Sequence, residues 1–269
     1  MGEGSLVERW PGRAAAIVVR LREGRVEVAA RDGAVDELRA WASVSKMVVS
    51  LAMGVEFEEG RHRPDEVVGP HGVTIAALLS HASGLGLEEG DPVVAPETKR
   101  VYSNYAVDYL VRVVVGEGDP ASWLDRRVLG PLGMRDSRLE GRPAAGVMGS
   151  TSDLATLAAA WLRPDLVGVA TRDRLRTPYR DDLDGIVPGF GRFSPCPWGL
   201  GPEVRGTKRH WMGDWPADSF GHFGQSGALI LLNAHEQIGV VATSTEPFGR
   251  WAVDLWPDWI SEMRQRALA

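Results

Sequence analysis

The chain has 269 residues, of which 44% are hydrophobic and 25% charged, enough apolar material for a full core at an ordinary charge density. The net charge is −6 with no clustered Lys/Arg tract, which excludes nucleic acid and anionic membrane surfaces as expected partners. Cys196 is the only cysteine, so an intrachain disulfide is excluded.

In chain order, Met1–Glu8 is acidic and lacks an apolar h-region, so no secretory signal is expected. No apolar run reaches the length of a membrane span, and a cytoplasmic protein is the expectation. Ala14–Val19 reads as a strand, Glu23-Gly24 as a turn and Val26–Ala30 as a second strand. Ser43–Val55 reads as a helix, with Met47, Val48, Leu51 and Ala52 at helical spacing. A charged, Pro/Gly-punctuated loop follows from Glu56 to Gly72. Thr74 can cap a short helix through Leu79. Ser103 or Asn104 can cap another, with Val107, Leu110, Val111 and Val114 as its buried stripe. Asp119-Pro120 opens a helix over Trp123 and Val128. Thr151 or Ser152 can cap a helix to about Leu162. From Asp184 to Phe223 the chain is rich in Gly, Pro and Trp and has little periodicity. It reads equally as a functional loop or as a coiled connection pinned by aromatic packing. Gly227–Leu232 and Ile238–Thr243 read as strands. Trp251–Leu268 reads as a helix with Trp259 and Met263 inward, kinked or restarted at Pro257.

Strands at both ends of the chain predict one antiparallel sheet flanked by helices, built from residues 1–55 plus 218–269. Residues 56–217 then form an inserted, mostly helical lobe with long loops. The expected fold class is α+β, a single composite domain with a site between its lobes.

Ser43 and Lys46 carry the first chemical signal. Three residues apart on a helix, their side chains share a face at roughly 5–6 Å between Cβ atoms. A serine hydroxyl needs a nearby base, and a lysine shielded from water can supply one near neutral pH. Tyr102-Ser103-Asn104 stands before a predicted helix. A tyrosine beside a cationic lysine can have a lowered pKa and shuttle protons, and an asparagine can orient a substrate amide. Taken alone, the tripeptide reads as a helix cap. His222-Phe223-Gly224 leads into a strand. Gly224 permits close backbone approach, and the N–H of Gln225, with that of Ser43, can aim at an oxyanion.

Framing sequences accompany these residues: Leu78-Leu79-Ser80-His81-Ala82-Ser83-Gly84-Leu85, Pro131-Leu132-Gly133-Met134, Ser150-Thr151-Ser152-Asp153-Leu154-Ala155 and Trp198-Gly199-Leu200-Gly201. In order, S-x-x-K, L-L-S-H-x-S-G-L, Y-S-N, P-L-G-M, S-T-x-D-L-A, W-G-L-G and H-x-G, the chain resembles the β-lactamase-related serine hydrolases from about Trp41 to Thr243. That group comprises class C β-lactamases, D-Ala-D-Ala carboxypeptidases and related esterases. The resemblance implies Ser43 as nucleophile, Lys46 as base and Tyr102 as proton shuttle, or as the base itself. It further implies Asn104 as an amide-orienting residue, His222 and Gly224 as the third motif, and Gln225 as an oxyanion donor. His222 stands where many of these enzymes carry lysine. An ordinary imidazole is mostly neutral at pH 7, which favours small neutral esters or amides over carboxylate-bearing substrates. The alternatives are a β-lactamase, a D-Ala-D-Ala carboxypeptidase or D-aminopeptidase, and, from another class, a non-catalytic ligand-binding protein on the same fold.

Trp198, Trp211, Trp215 and Phe223 are candidates for a pocket wall, although tryptophans also serve as packing. His81 reads as packing and hydrogen bonding within its framing motif, Ser45 falls on another helix face, and Cys196, between Ser194-Pro195 and Pro197, reads as inert. There is no G-x-S-x-G elbow, no metal-ligand spacing among the six histidines and no phosphate loop. Neither metal nor cofactor is therefore expected, and the expected partner is a small-molecule acyl substrate. The natural substrate and the oligomeric state stay open at this stage.

Overall fold

The computed structural model describes residues 5–69 and 72–269. Met1–Gly4 of the acidic start, and residues 70 and 71 of the Glu56–Gly72 loop, lie outside the described residues. The chain opens with β1 (Ala14–Arg22), β2 (Arg25–Gly33) and a short β3 (Arg39–Ala40). A 3-10 turn over Ala42–Val44 leads into α1 (Ser45–Glu58), followed by α2 (Ile75–Leu79), α3 (Asn104–Val115) and α4 (Pro120–Leu124). Next come β4 (Arg138–Leu139), β5 (Val147–Gly149), α5 (Thr151–Leu162) and α6 (Val169–Arg176). The chain closes with β6 (Gly185–Val187), β7 (Gly191–Phe193), β8 (Glu203–Val204), β9 (Phe220–Phe223), β10 (Leu229–Asn233), β11 (Ile238–Ser244) and α7 (Arg250–Leu268).

The main sheet has six strands in the order β2-β1-β11-β10-β9-β8, every pair antiparallel. Strands from both ends of the described chain enter it, and the fold is α+β, in agreement with the sequence. The central strands are apolar on both faces because both faces are covered. Ala15, Ile17, Val19, Ile230, Leu232 and Val241 point into the core that contains α1 and α5. Ala14, Ala16, Val18, Leu229, Leu231, Val240 and Ala242 point into a second core with Trp256, Trp259, Ile260 and Met263 of α7. The two-residue strand period thus sorts neighbouring residues between two cores. The edge strand β2 alternates exposed charges such as Arg25, Glu27 and Arg31, a common way of blunting an open edge.

Several local expectations change. Ser43 lies in the 3-10 turn, and α1 proper starts at Ser45 and runs three residues past Val55. The extension is held by Glu56, which is buried and accepts from Trp123 Nε1 and Arg127 Nε, both at 2.8 Å. Ser150, rather than Thr151 or Ser152, caps α5, its Oγ accepting from the Asp153 N–H at 3.0 Å. The other two hydroxyls are engaged elsewhere, Thr151 with Thr243 at 2.6 Å and Ser152 with Asp36 at 2.6 Å. Helix α7 runs unbroken through Pro257. The missing proline N–H costs one helical bond, and burial of the Trp256–Met263 face outweighs it. The Asp184–Phe223 stretch carries a β6-β7 hairpin and two strands of the main sheet. The helix α5, inside the 56–217 segment, packs on β1, β10 and β11 rather than with the other inserted helices. Among the described residues, no helix is long and apolar enough to cross a membrane.

Candidate active site

Helix α1 is buried on nearly every face and lies between β9 and the helices α3, α4 and α6. Its leading turn is fixed from several sides. Trp41 is fully buried, its N–H donates to Val147 O at 2.9 Å and its Nε1 to Gly149 O at 3.2 Å. Ala42 sits at φ +46, a left-handed conformation that costs a non-glycine residue about 1–2 kcal/mol. Ser45 Oγ donates to Ala42 O at 2.6 Å and accepts from the Val147 N–H at 2.9 Å, so this second serine is fully committed. Ser43 is half-buried and faces the cleft.

Lys46 is buried, and its Nζ lies 3.2 Å from Ser43 Oγ, 2.7 Å from Asn104 Oδ1 and 2.9 Å from Ala144 O. Burial lowers its pKa to about 7, partly countered by Asp108 and Glu88. A neutral amine has two N–H bonds and one lone pair. Asn104 Oδ1 and Ala144 O can only accept, so they take both hydrogens. The lone pair is then left for the Ser43 O–H.

Those two acceptors are themselves held. Asn104 Nδ2 donates to Glu88 Oε1 at 2.8 Å, which fixes the amide orientation. The Ala144 N–H donates to Asp108 Oδ1 at 2.8 Å. Arg142 joins the two carboxylates, donating to Glu88 Oε2 at 2.5 Å and to Asp108 Oδ2 at 2.5 Å. Glu88, Asp108, Ala144 and Arg142 were not singled out by the sequence. Their only signal was chemical: an asparagine that presents Oδ1 to a lysine must find an acceptor for its Nδ2.

Tyr102 is pinned by its neighbours. The Val101 N–H donates to His81 O at 2.9 Å, the Ser103 N–H to His81 Nδ1 at 3.2 Å, and Ser103 Oγ to Gly86 O at 2.5 Å. Ser103 also caps α3 through the Ala106 N–H at 2.9 Å. His81 stands at φ +59 and its ring packs on Tyr102 and Trp198 at 4.6 and 5.0 Å. Lys46 Nζ lies 4.9 Å from the centre of the Tyr102 ring, and the phenol sits beside Ser43. The expectation of a lowered tyrosine pKa is overturned. Burial pushes the phenol above its ordinary value, and the neighbouring Ser43 offsets only part of that.

His222 lies on β9, buried between Tyr102 and Trp198, with ring centres at 5.9 and 5.7 Å. Its Nδ1 donates to Phe223 O at 2.8 Å. Burial, then the Lys46 charge, lowers its pKa to about 3. Gly224 makes its close approach to the Trp41–Ser43 backbone: a Cβ there would lie 2.3 Å from Trp41 O and 3.2 Å from the Ser43 N. Gln225, the next residue, lines the same pocket as Ser43. The Ser43 N–H, in the first turn of its helix, has no carbonyl of that helix behind it.

Ser43, Leu87, Tyr102, Asn104, Pro188, Trp198, His222, Phe223 and Gln225 line one pocket of about 150 Å³. Trp198 and Phe223 therefore stand in its wall, whereas Trp211 and Trp215 do not. Both of these are fully buried in the α7-side core, their indole N–H groups given to Glu203 Oε2 and Ile260 O, each at 2.8 Å. Burial with a satisfied N–H is the packing role of tryptophan. Leu87 and Pro188 come from irregular loops and had no periodic signal. A larger cavity of about 520 Å³ shares Leu87, Tyr102 and Pro188 with this pocket. Cys196 is buried with its pKa pushed up by burial.

A sequence model described as β-lactamase matches residues 8–260. The crystal structure of a β-lactamase from Mycobacterium bovis superposes with a TM-score of 0.93 at 35% identity, covering 98% of each chain. A β-lactamase/D-alanine carboxypeptidase from Yersinia pestis shares the fold with a TM-score of 0.76 at 17% identity, covering 99% of this chain and 96% of that one. A family VIII carboxylesterase does so with a TM-score of 0.76 at 16% identity, covering 96% and 93%. No curated protein matches the chain. With almost its whole length matched and a near relative superposed end to end, the chain belongs to the β-lactamase family, whose fold is that of serine hydrolases.

Proposed function

We propose that the protein is a serine hydrolase that forms an acyl-enzyme on Ser43 and acts as an esterase or amidase on small neutral acyl substrates. The observation that carries this reading is the Lys46 amine, whose two fixed acceptors leave a lone pair for the Ser43 O–H 3.2 Å away. Lys46 takes the Ser43 proton as Oγ attacks the substrate carbonyl. The N–H groups of Ser43 and Gln225 hold the oxyanion, an arrangement in which each donor is typically worth about 3–4 kcal/mol. As the tetrahedral intermediate collapses, Tyr102, whose raised pKa keeps it protonated, gives its proton to the departing alcohol or amine and recovers one from Lys46. Water then repeats the sequence on the acyl-enzyme, returns the proton to Ser43 and releases the acid. A pocket of about 150 Å³ suits a short acyl group, and the neutral His222 offers no cation to a carboxylate.

A second reading, β-lactam hydrolysis, is favoured by the 35% identity to a chain named a β-lactamase. Two measurements decide. Fluorophosphonate labelling followed by peptide mass spectrometry is expected to place the adduct on Ser43 and to be lost in Ser43→Ala; an adduct elsewhere overturns the mechanism. Short-chain aryl esters are expected to turn over faster than a chromogenic cephalosporin, and the reverse order would replace the esterase reading with the second one.

A further inference from the structure

The His222 ring, part of the pocket lining, has one unsatisfied atom. Its Nδ1 is 2.8 Å from the carbonyl oxygen of Phe223. A carbonyl only accepts, so Nδ1 carries the ring proton and Nε2 is a bare lone pair. That Nε2 is buried and has no hydrogen-bond partner among the described residues, while the residue is 3% exposed and lines the pocket beside Ser43 and Tyr102. A buried acceptor left unpaired is costly and calls for a partner. Burial, then Lys46, disfavours protonating the ring, and the Phe223 carbonyl and Glu203 only partly oppose it. The neighbouring His81 has the opposite tautomer, because its Nδ1 accepts from the Ser103 N–H. The acceptor at His222 is therefore set by β9's own backbone and is not a property shared by both rings.

We propose that His222 Nε2 is a substrate-recognition acceptor, which selects neutral acyl substrates carrying an N–H or O–H donor close to the scissile carbonyl. A carboxylate at that place would set a negative acceptor against a lone pair and is disfavoured. The inference rests on the serine hydrolase reading for its substrate class.

The test compares matched esters at pH 7.5. On the acyl side, p-nitrophenyl N-acetylglycinate is set against p-nitrophenyl 4-oxopentanoate, which replaces N–H by CH₂. On the alcohol side, 2-hydroxyethyl butyrate is set against propyl butyrate and carboxymethyl butyrate. Dividing each kcat/KM ratio by that of His222→Phe cancels intrinsic reactivity. At least one donor-bearing member is expected to be preferred about fivefold, and carboxymethyl butyrate to be the poorest of the alcohol series. His222→Gln, which keeps an acceptor, should retain part of the preference. In parallel, ¹⁵N NMR of the histidines should find the His222 ring Nδ1-protonated at pH 7. Ratios unchanged by His222→Phe for both pairs overturn the inference, and so does an Nε2–H tautomer or an imidazolium at pH 7. Ester turnover that needs Ser43 but lacks the preference refutes the inference alone. Absence of both turnover and Ser43 labelling refutes the hydrolase reading, and the tautomer measurement still decides the acceptor.

Discussion

Lys46 combines two demands at one nitrogen. It must be short of a proton to act on Ser43, and burial lowers its pKa to about 7, while two fixed acceptors take its N–H bonds and leave the lone pair for Ser43. The expected result is a kcat/KM for a neutral ester that rises with pH around a midpoint of about 7. No second rising limb from His222 should appear between pH 5 and 8, since its pKa lies at about 3; two limbs in that range would contradict the assignment. The same shift bears on stability. The folded chain holds Lys46 neutral where the unfolded chain still binds its proton, so between pH 7 and the ordinary value of 10.5 this residue's contribution improves with rising pH. Below pH 7 its cost is fully present. Lys46→Met is therefore expected to abolish turnover and to raise unfolding stability at pH 6 by about 1–4 kcal/mol, a gain that shrinks towards pH 10. Urea denaturation at both pH values checks it.

At the scale of elements, the site depends on where β9 and the loop before β5 meet α1. Gly224 lets the end of β9 lie against Trp41–Ser43, with no space for a Cβ. Gly224→Ala is expected to push Gln225 away from Ser43 and to lower kcat by about 10²–10³-fold, with overpacking costing about 1–3 kcal/mol. Steady-state kinetics and a denaturation midpoint separate the two effects, and an unchanged kcat would remove Gln225 from the mechanism. On the other side, Arg142 ties Glu88 to Asp108 and so ties together both acceptors of Lys46. Arg142→Gln removes a cation that lowers the Lys46 pKa and leaves two carboxylates that raise it. The rising limb of the pH profile should move to higher pH, and Arg142→Lys should restore part of the shift. A limb that stays in place would make Arg142 a surface residue with no bearing on Lys46.

At the scale of the whole molecule, the Asp184–Phe223 segment must be bound to the sheet for Trp198 to stand in the pocket wall. Buried charge does this. Arg100 gives its guanidinium to four backbone carbonyls, those of Ser80, Tyr179, Arg180 and Cys196. Glu203 on β8 meets Lys208 at 2.6 Å, His210 at 2.7 Å and Trp211 Nε1 at 2.8 Å, all with almost no solvent contact. Burial alone would push the Glu203 carboxyl up, but Lys208 and His210 against it hold it below its ordinary value. Glu203→Gln leaves a buried ammonium without its counter-charge and is expected to cost about 3–5 kcal/mol. Chemical denaturation at pH 7 measures this, and a loss below 1 kcal/mol would show that Lys208 finds another partner.

The sequence by itself determined what is local. Helical spacing set Lys46 three residues from Ser43, a helix-cap pattern marked Tyr102-Ser103-Asn104, and apolar strands at both ends of the chain implied one antiparallel sheet. Each of these follows from backbone periodicity or from bonds between near neighbours. Only the tertiary structure decided what depends on groups far apart in the chain. The Lys46 pKa follows from burial and from charges at residues 108, 142 and 88, and its two acceptors come from residues 104 and 144. The Tyr102 pKa went up and not down, because desolvation outweighs the offset from the neighbouring Ser43. Of four aromatic residues equal in sequence, Trp198 and Phe223 line the pocket while Trp211 and Trp215 fill the core. Composition cannot tell a wall from a filling, because all four pack in one core and only the folded chain decides which of them border the cavity.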